Sequence, residues 1–456
     1  MLRHKKPLRN LLGLLFGCAL VTCLAAPAVA GGVIRDEEIE QDLKTFMRPV
    51  FREAGVSPSS VRFIILENPE MNAFVAGGQN IFLHTGLILE TRNVAELIGV
   101  CAHETGHIAH GDLIRSRTVA ENISVEALVA EVLGIVAAVG ARSGDAAAAV
   151  TSATGSIAQR AFLTHSREQE TAADQAGVSF LQAAGLPITG FLSFMQKLSS
   201  QELLPDSAQS EYVRTHPLTQ DRVNYLANVV EQERNHHAAP EAWEEMHARI
   251  KAKLLGYLFP DQALLDKGTS VASQYGRAIA WYRKGELQKA LAQLDPLIAA
   301  QPKDPYFYEL KGQILFENGK IDAALPAYAK AVEFAPQSGL IRAAYGHALL
   351  ESTTDAQAHE AEAIKQLEAS LDTEALQPET HHQLAIAYGK QGKEGISRLH
   401  LAEEGLLENK PEFAITEAKL AQQALPKGTP AALRASDILD LAKKNAKKMK
   451  DHEKGY

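Results

Sequence analysis

Residues 94–112, V-A-E-L-I-G-V-C-A-H-E-T-G-H-I-A-H-G-D, constrain this chain more than any other stretch. Within them His103-Glu104-Thr105-Gly106-His107 reads H-E-x-x-H. On a helix, side chains four residues apart share a face, so both imidazoles can reach one metal ion. Glu104 follows the first histidine and falls beside such an ion, where a carboxylate can take a proton from an attacking water. Two neutral imidazoles and a carboxylate suit zinc and leave its fourth position open. The local signals predict a helix. Asn93 can cap it, with Glu96 three residues on as in a capping box. Leu97, Ile98, Val100 and Cys101 make it an interior helix, and Gly111 stops it.

Two histidines do not complete a site. His110 shares their face but lies almost two turns beyond His103, and at about 1.5 Å rise per residue it cannot close on the same ion without a chain reversal. It reads as a helix-end residue. A better source is residues 166–174, S-R-E-Q-E-T-A-A-D, where Glu170 and Asp174 are again four apart on a second predicted helix.

His103, Glu104 and His107, followed by Ser-Arg-x-x-Glu-x-x-Ala-Asp at 166–174, resemble the gluzincin metallopeptidases related to HtpX and the CAAX prenyl proteases. The resemblance runs back through Asn72-Ala73-Phe74, Gly77-Gly78 and Thr85-Gly86-Leu87, and forward to Thr215-His216-Pro217-Leu218, covering residues 33–230. It is strongest for the exported BepA-like branch with C-terminal tetratricopeptide repeats. The resemblance implies one zinc per chain held by His103, His107 and Glu170, with Glu104 as the base. Asp174 would orient a ligand histidine or donate a proton. It also implies misassembled envelope proteins as substrates, and an outer-membrane assembly machine as partner.

His216 is the one outlying histidine in a family-like motif, and Pro217 biases its backbone toward an extended conformation. Three roles stay open for it: a hydrogen-bond donor to a developing oxyanion, a resting-state zinc ligand that swings aside, or packing.

The rest of the chain frames this centre. Its 456 residues, 46% hydrophobic, suffice for two or three cored domains, and a net charge of −9 speaks against a nucleic-acid partner. Arg3, Lys5, Lys6 and Arg9 precede an apolar run at 11–26 and the small residues Ala28-Val29-Ala30, which together read as a cleavable secretory signal directing the chain to the periplasm. Lipidation at Cys18 or Cys23 is the alternative, although Phe16 and Thr22 fit a lipobox poorly. Cleavage would leave Cys101 as the one cysteine, so no internal disulfide is expected.

Residues 36–54 read as a helix disturbed near Pro49. Residues 61–66 read as a strand, and residues 72–83 as two strands turning at Gly77-Gly78. Such a sheet can lay an extended substrate along its edge. Residues 113–165 read as two helices, either a pair completing the core or a membrane-touching or lid hairpin. Residues 207–214 read as a loop. From about 275 a 34-residue period pairs Gly285 with Gly319, Ala290 with Ala324 and Pro302 with Pro336, which is the tetratricopeptide pattern. An insertion is expected near 353–359, with blurred units after it. Stacked helical pairs of this kind leave a concave surface for a partner.

The expected fold is mostly α: a zincin-like α+β catalytic domain with a small sheet, then an α-solenoid of repeats. Its parts are a signal at 1–30, a metallopeptidase domain at 31–235, a linker at 236–270, repeats at 271–445 and a solvated basic tail at 446–456. Two other classes compete with an exported zinc endopeptidase. One is a chaperone-like repeat adaptor with a silent site; the other is a structural zinc site, which would want four protein ligands and no free carboxylate.

Overall fold

The structure, a computed structural model, describes residues 32–111, 166–202, 209–233 and 237–454. The signal expected at 1–30 and the helical pair expected at 113–165 lie outside the described residues.

A four-stranded sheet and a layer of helices build the first part of the chain. Strands β1 (Val33–Ile34), β2 (Arg62–Leu66), β3 (Ala73–Ala76) and β4 (Asn80–His84) lie in the order β1-β2-β4-β3. The central pair β2/β4 is parallel, with Ile64 opposite Phe82, and the outer pairs are antiparallel. The β3–β4 hairpin turns through residues 77–79, one more than the Gly-Gly pair expected. Gly77 and Gly78 both take positive φ (60° and 99°), which a side chain would resist. Among the described residues, no strand pairs with the outer edge of β3.

Helix α1 (Glu37–Glu53) is capped by Asp36, whose side chain accepts from Ile39 N–H, and it continues through Pro49 unbroken. Its apolar stripe (Ile39, Leu43, Phe46, Met47, Val50, Phe51) is buried with the inner sheet residues Phe63, Ile65, Ile81 and Leu83. After the short α2 (Thr85–Glu90), α3 (Val94–His110) runs through the middle of this core. Asn93 accepts from Glu96 N–H, and Gly111 ends the helix in the left-handed region. The Glu96 carboxylate turns back to Arg92 N–H at 2.8 Å rather than to the cap residue itself.

Helices α4 (Arg167–Ala183), α5 (Thr189–Glu202), α6 (Glu211–Thr215) and α7 (Gln220–Gln232) complete the layer. The segment expected as a loop at 207–214 therefore contains a helical turn, nucleated by Ser210, whose side chain accepts from Val213 N–H.

The expected linker at 236–270 is a second correction. It contains α8 (Glu241–Leu258) and α9 (Pro260–Ala263), and Ile250 and Leu254 are buried in the same core as α3. Trp243, Met246, Ile250, Leu254 and Leu258 make a stripe at helical spacing. Charged residues between them dilute it, and the His/Ala/Pro stretch that suggested a linker ends at the helix start.

Beyond α9 the helices come in pairs: α10 (Val271–Arg283) with α11 (Leu287–Ala300), α12 (Pro305–Glu317) with α13 (Ile321–Phe334), and α14 (Gly339–Glu351) with α15 (Ala356–Leu371). Then come α16 (Pro378–Lys390) with α17 (Glu394–Leu407), and α18 (Pro411–Ala424) with α19 (Pro430–Lys454). The first helices of successive pairs start at 271, 305 and 339, a step of 34 residues; the next starts at 378, a step of 39 that absorbs the insertion. The basic end expected as a solvated tail is helical to Lys454, with Ala442 and Ala446 buried and Lys443, Lys444, Lys447 and Lys448 exposed.

The apolar clusters of the two halves are separate, one running from Ile39 to Leu254 and the next from Tyr275 to Ile314. Buried charges join them. Arg249 reaches Glu38 at 2.6 Å and Asp304 at 2.6 Å, Lys253 reaches Asp36 at 2.8 Å and Glu38 at 3.0 Å, and Tyr275 donates to Glu38 at 3.1 Å.

Asp42 sits beside this network, and burial together with the Glu38 charge pushes its carboxyl from 3.8 up to about 8 against the pull of Arg249 and Lys253. A folded-state pKa above the unfolded one gives a contribution that is fully present below about pH 4 and lost as pH rises through about 8. Asp42→Asn is therefore expected to raise Tm at pH 8.5 by about 2–5 °C, and by less at pH 5. Melting curves at the two pH values check this, and an equal shift at both would contradict it.

Candidate metal centre

Helices α3 and α4 touch backbone to backbone. A Cβ on Gly106 would lie 2.7 Å from the Ala173 carbonyl oxygen, and one on Gly177 would lie 3.2 Å from Ala102. Only glycine permits this approach, and it sets the α4 carboxylates against the α3 imidazoles. The Nε2 atoms of His103 and His107 are 3.2 Å apart; Glu170 Oε2 is 3.4 Å from the first and Oε1 3.4 Å from the second. His216 joins them, and one ligand atom from each of the four residues lies within 4.8 Å of all the others.

These separations fit an ion. A tetrahedron with metal–ligand bonds of about 2.05 Å has edges of about 3.3 Å. All four residues are buried, and lone pairs converging in a dry site repel unless a cation sits between them. His110 stands apart, its ring bonding the Gly106 carbonyl at 2.9 Å. Gly106→Ala is expected to push Glu170 off the imidazoles and weaken divalent-metal binding about 10–100-fold, the range for disturbed ligand support. Competition with a chromophoric chelator measures this, and an unchanged affinity would contradict it.

His103 Nδ1 pairs with Asp174 Oδ1 at 2.9 Å. With Asp174 ionised, Nδ1 carries the proton and the Nε2 lone pair faces Glu170 and His107. Burial opposes charge on His103, but the Asp174 and Glu170 carboxylates that accept from its ring outweigh it and push the metal-free imidazole up to about 10; a bound cation would take the place of the Nε2 proton and restore the neutral, Nδ1–H ring. Burial also works against ionised Asp174, but Arg222 and His103 hold it below its usual range. Glu170 is held well below its range by His216, His103 and His107, again against burial.

Glu104 differs. Both of its oxygens are buried without a hydrogen-bond partner, and His216 Nε2 lies 3.5 Å from Oε1. Burial raises its carboxyl, with the neighbouring histidines pulling the other way.

Residues 37–230 match the model of Peptidase family M48, and residues 275–339 match that of the Tetratricopeptide repeat. Residues 37–230 are an M48 peptidase domain. The chain is similar to the Beta-barrel assembly-enhancing protease of Yersinia pestis, at 30% identity over 304 residues, covering 64% of this chain and 61% of the relative. It is 24% identical to the protein of that name from Escherichia coli K12, with the same coverage of each chain. Over 111 residues it is 35% identical to Protease HtpX of Vibrio cholerae, covering 22% of this chain and 37% of the other. The chain thus spans about three-fifths of the length of the first two relatives.

Sequence reasoning missed two residues of the M48 domain's centre. Arg222, on α7, is 3% exposed and grips Asp174 with two bonds of 2.6 and 2.9 Å. Its Nη1 donates to the Pro217 carbonyl at 2.9 Å and lies 2.7 Å from Glu170 Oε2, a close charge contact rather than an aligned hydrogen bond. One guanidinium thereby ties the α4 carboxylates to the His216 loop. Tyr212, on α6, stacks on His216 with centroids 4.3 Å apart and planes at 16°. The sequence signals were faint: an arginine six residues after His216, and a tyrosine four residues before it.

Proposed function

We propose that this chain is an exported zinc endopeptidase acting in the periplasm on misassembled outer-membrane proteins. The observation that carries this reading is the pairing of two chemistries in one dry site. The ligand-type atoms of His103, His107 and Glu170 converge there, and the unpartnered carboxylate of Glu104 stands beside them.

Zinc bound there supplies Lewis acidity, polarising a peptide carbonyl and lowering the pKa of water. The chain's own groups do the rest. Asp174 fixes the His103 tautomer, Arg222 holds Asp174 and Glu170 in place, and Glu104 receives the proton of the attacking water and passes it to the leaving amine. The edge of β3 that no strand among the described residues pairs, on a strand that packs on α3, offers main-chain hydrogen bonds to an extended substrate and needs no particular side chains. Such a site suits unfolded chains. The stacked repeats supply a surface for a partner from the assembly machinery, in keeping with the relatives' names. Among the described residues, no helix is long and apolar enough to cross a membrane.

The test is metal content together with trapping. Purified protein should hold about one zinc per chain and cut an unfolded protein substrate, and an inactive variant should retain envelope proteins when expressed in cells. Zinc-free protein that cuts equally well would overturn the proposal.

His216 is read as a resting-state ligand, because its imidazole shares the cluster with the other three. This gives the chaperone-like, latent-protease reading a physical form: the site stays closed until a substrate displaces His216. His216→Ala is expected to raise basal proteolysis severalfold and speed zinc release. A fall in turnover with zinc unchanged would make His216 an oxyanion donor instead, with a loss of about 10²–10³ in kcat. No change in either would leave it as packing.

A further inference from the structure

We infer that Thr215 sets the imidazole tautomer of His216 and Tyr212 sets its ring plane, so that neutral His216 meets the metal site with a lone pair on Nε2. This rests on the reading of His216 as a ligand and names the residues that prepare it.

The argument begins with one hydroxyl proton. Thr215 is fully buried at the end of α6, and its Oγ1 lies 3.1 Å from the Glu211 carbonyl and 3.2 Å from that of Tyr212. Threonine in a helix donates to such carbonyls one turn back. With its only proton spent there, Oγ1 can still accept. His216 Nδ1 lies 3.0 Å from it. Nδ1 is therefore the protonated nitrogen, and Nε2 is left with a lone pair. Nε2 is the atom that faces Glu104 Oε1, on the metal side of the ring.

The ring's plane is fixed separately. Tyr212 covers one face of His216 at 4.3 Å, and the tyrosine is itself held. Its N–H donates to the Met71 carbonyl just before β3 at 3.1 Å, and its ring meets Phe194 edge-on at 5.7 Å. His216 N–H closes the turn onto the Tyr212 carbonyl at 2.8 Å. The helical turn 211–215 is thus a bracket: one end anchors to the sheet, and the other presents an imidazole of fixed tautomer and plane.

The consequence separates two roles. With Nδ1–H engaged by Thr215, neutral His216 has no proton to offer an oxyanion at Nε2; it can accept or ligate. The bracket favours ligation in the resting site, and donation would first require a second proton on the ring.

Two measurements on the full chain test this. In zinc-free protein labelled with 15N-histidine, long-range 1H–15N spectra report each tautomer, and His216 is assigned by its loss in His216→Gln. The expected result is Nδ1–H for His216 in the unsubstituted protein and in Thr215→Ser, which keeps the hydroxyl. In Thr215→Val the Nε2–H form, which an unconstrained histidine favours, should take over. Zinc release to a chelator should be about 10-fold faster in Thr215→Val and near the unsubstituted rate in Thr215→Ser. Tyr212→Leu should speed release while leaving the tautomer unchanged.

An Nε2–H signal for His216 in the unsubstituted protein overturns the inference, with His216→Gln needed only to assign the signal. A tautomer unmoved by Thr215→Val overturns the Thr215 assignment. Zinc release in His216→Gln equal to that of the unsubstituted protein overturns ligation itself, whatever the tautomer shows.

Discussion

Glu104→Gln is expected to lose peptide hydrolysis by about 10²–10⁴-fold, the usual contribution of a positioned general base, and to keep its zinc. The two halves of this result come from different features of the site. Glutamine has nearly the shape of glutamate, so the packing of α3 in its core is preserved, but its amide cannot take a proton from water. Retention of metal follows from the donor set, because His103, His107, Glu170 and His216 form the cluster and Glu104 is not among them. Burial of the Glu104 oxygens without a partner makes the substitution mild for the fold, since a neutral amide is easier to bury than a carboxylate. The variant should therefore melt no lower than the parent, which makes it suitable for trapping. Loss of zinc on this change would show that Glu104 is a ligand. Retained turnover would show that it is not the base. Metal analysis and a discontinuous cleavage assay read the two independently.

Much of this was legible in the sequence wherever function rests on a period. Residues four apart on α3 and α4 had to share a face, and the spacing of His103 with His107 and of Glu170 with Asp174 expressed that directly. The repeats showed because Gly285 and Gly319 both close turns at positive φ, 34 residues apart. The Gly-Gly pair between two apolar runs placed the hairpin, although its turn takes a third residue.

What was not legible depends on residues meeting across long stretches of chain. Lys253 and Asp36 are 217 positions apart, and no local pattern on α8 or α1 announces their ion pair. For the same reason α8 was taken for a linker: its stripe is apolar only on the side that packs against the core, and the charged residues between look solvated until Glu38 and Asp304 are placed opposite them. β1, two residues long, carries no periodic signal at all. Arg222 belongs to this class as well. Nothing in its helix distinguishes it from a surface arginine until Asp174 is brought beneath it.

Arg222 consequently carries the other large expected effect. Arg222→Met should destabilise the zinc-free protein by about 3–5 kcal/mol, the usual consequence of leaving buried charges without their partner. Two carboxylates lose their guanidinium partner, not one: Asp174 loses both of its bonds to it and keeps only His103, and Glu170 loses the cation at 2.7 Å. Neither can reach water, since both are fully buried. The Pro217 carbonyl also loses its donor, so the loop that carries His216 is released from α7.

Zinc should recover part of this loss, because an ion beside Glu170 replaces some of the missing positive charge; Asp174 would gain only indirectly through His103. The gap between variant and parent in denaturant midpoint should therefore narrow as zinc is added but not close. Arg222→Lys separates charge from geometry. A single ammonium can neutralise one carboxylate but cannot grip Asp174 with two bonds and reach Pro217 at once, so it should fall between the two. Denaturation with and without zinc, together with chelator competition on each variant, measures both quantities. A midpoint for Arg222→Met equal to that of the parent in zinc-free buffer would mean that the carboxylates are not held ionised in the folded chain, and the account of Asp174 as the group that orients His103 would fall with it.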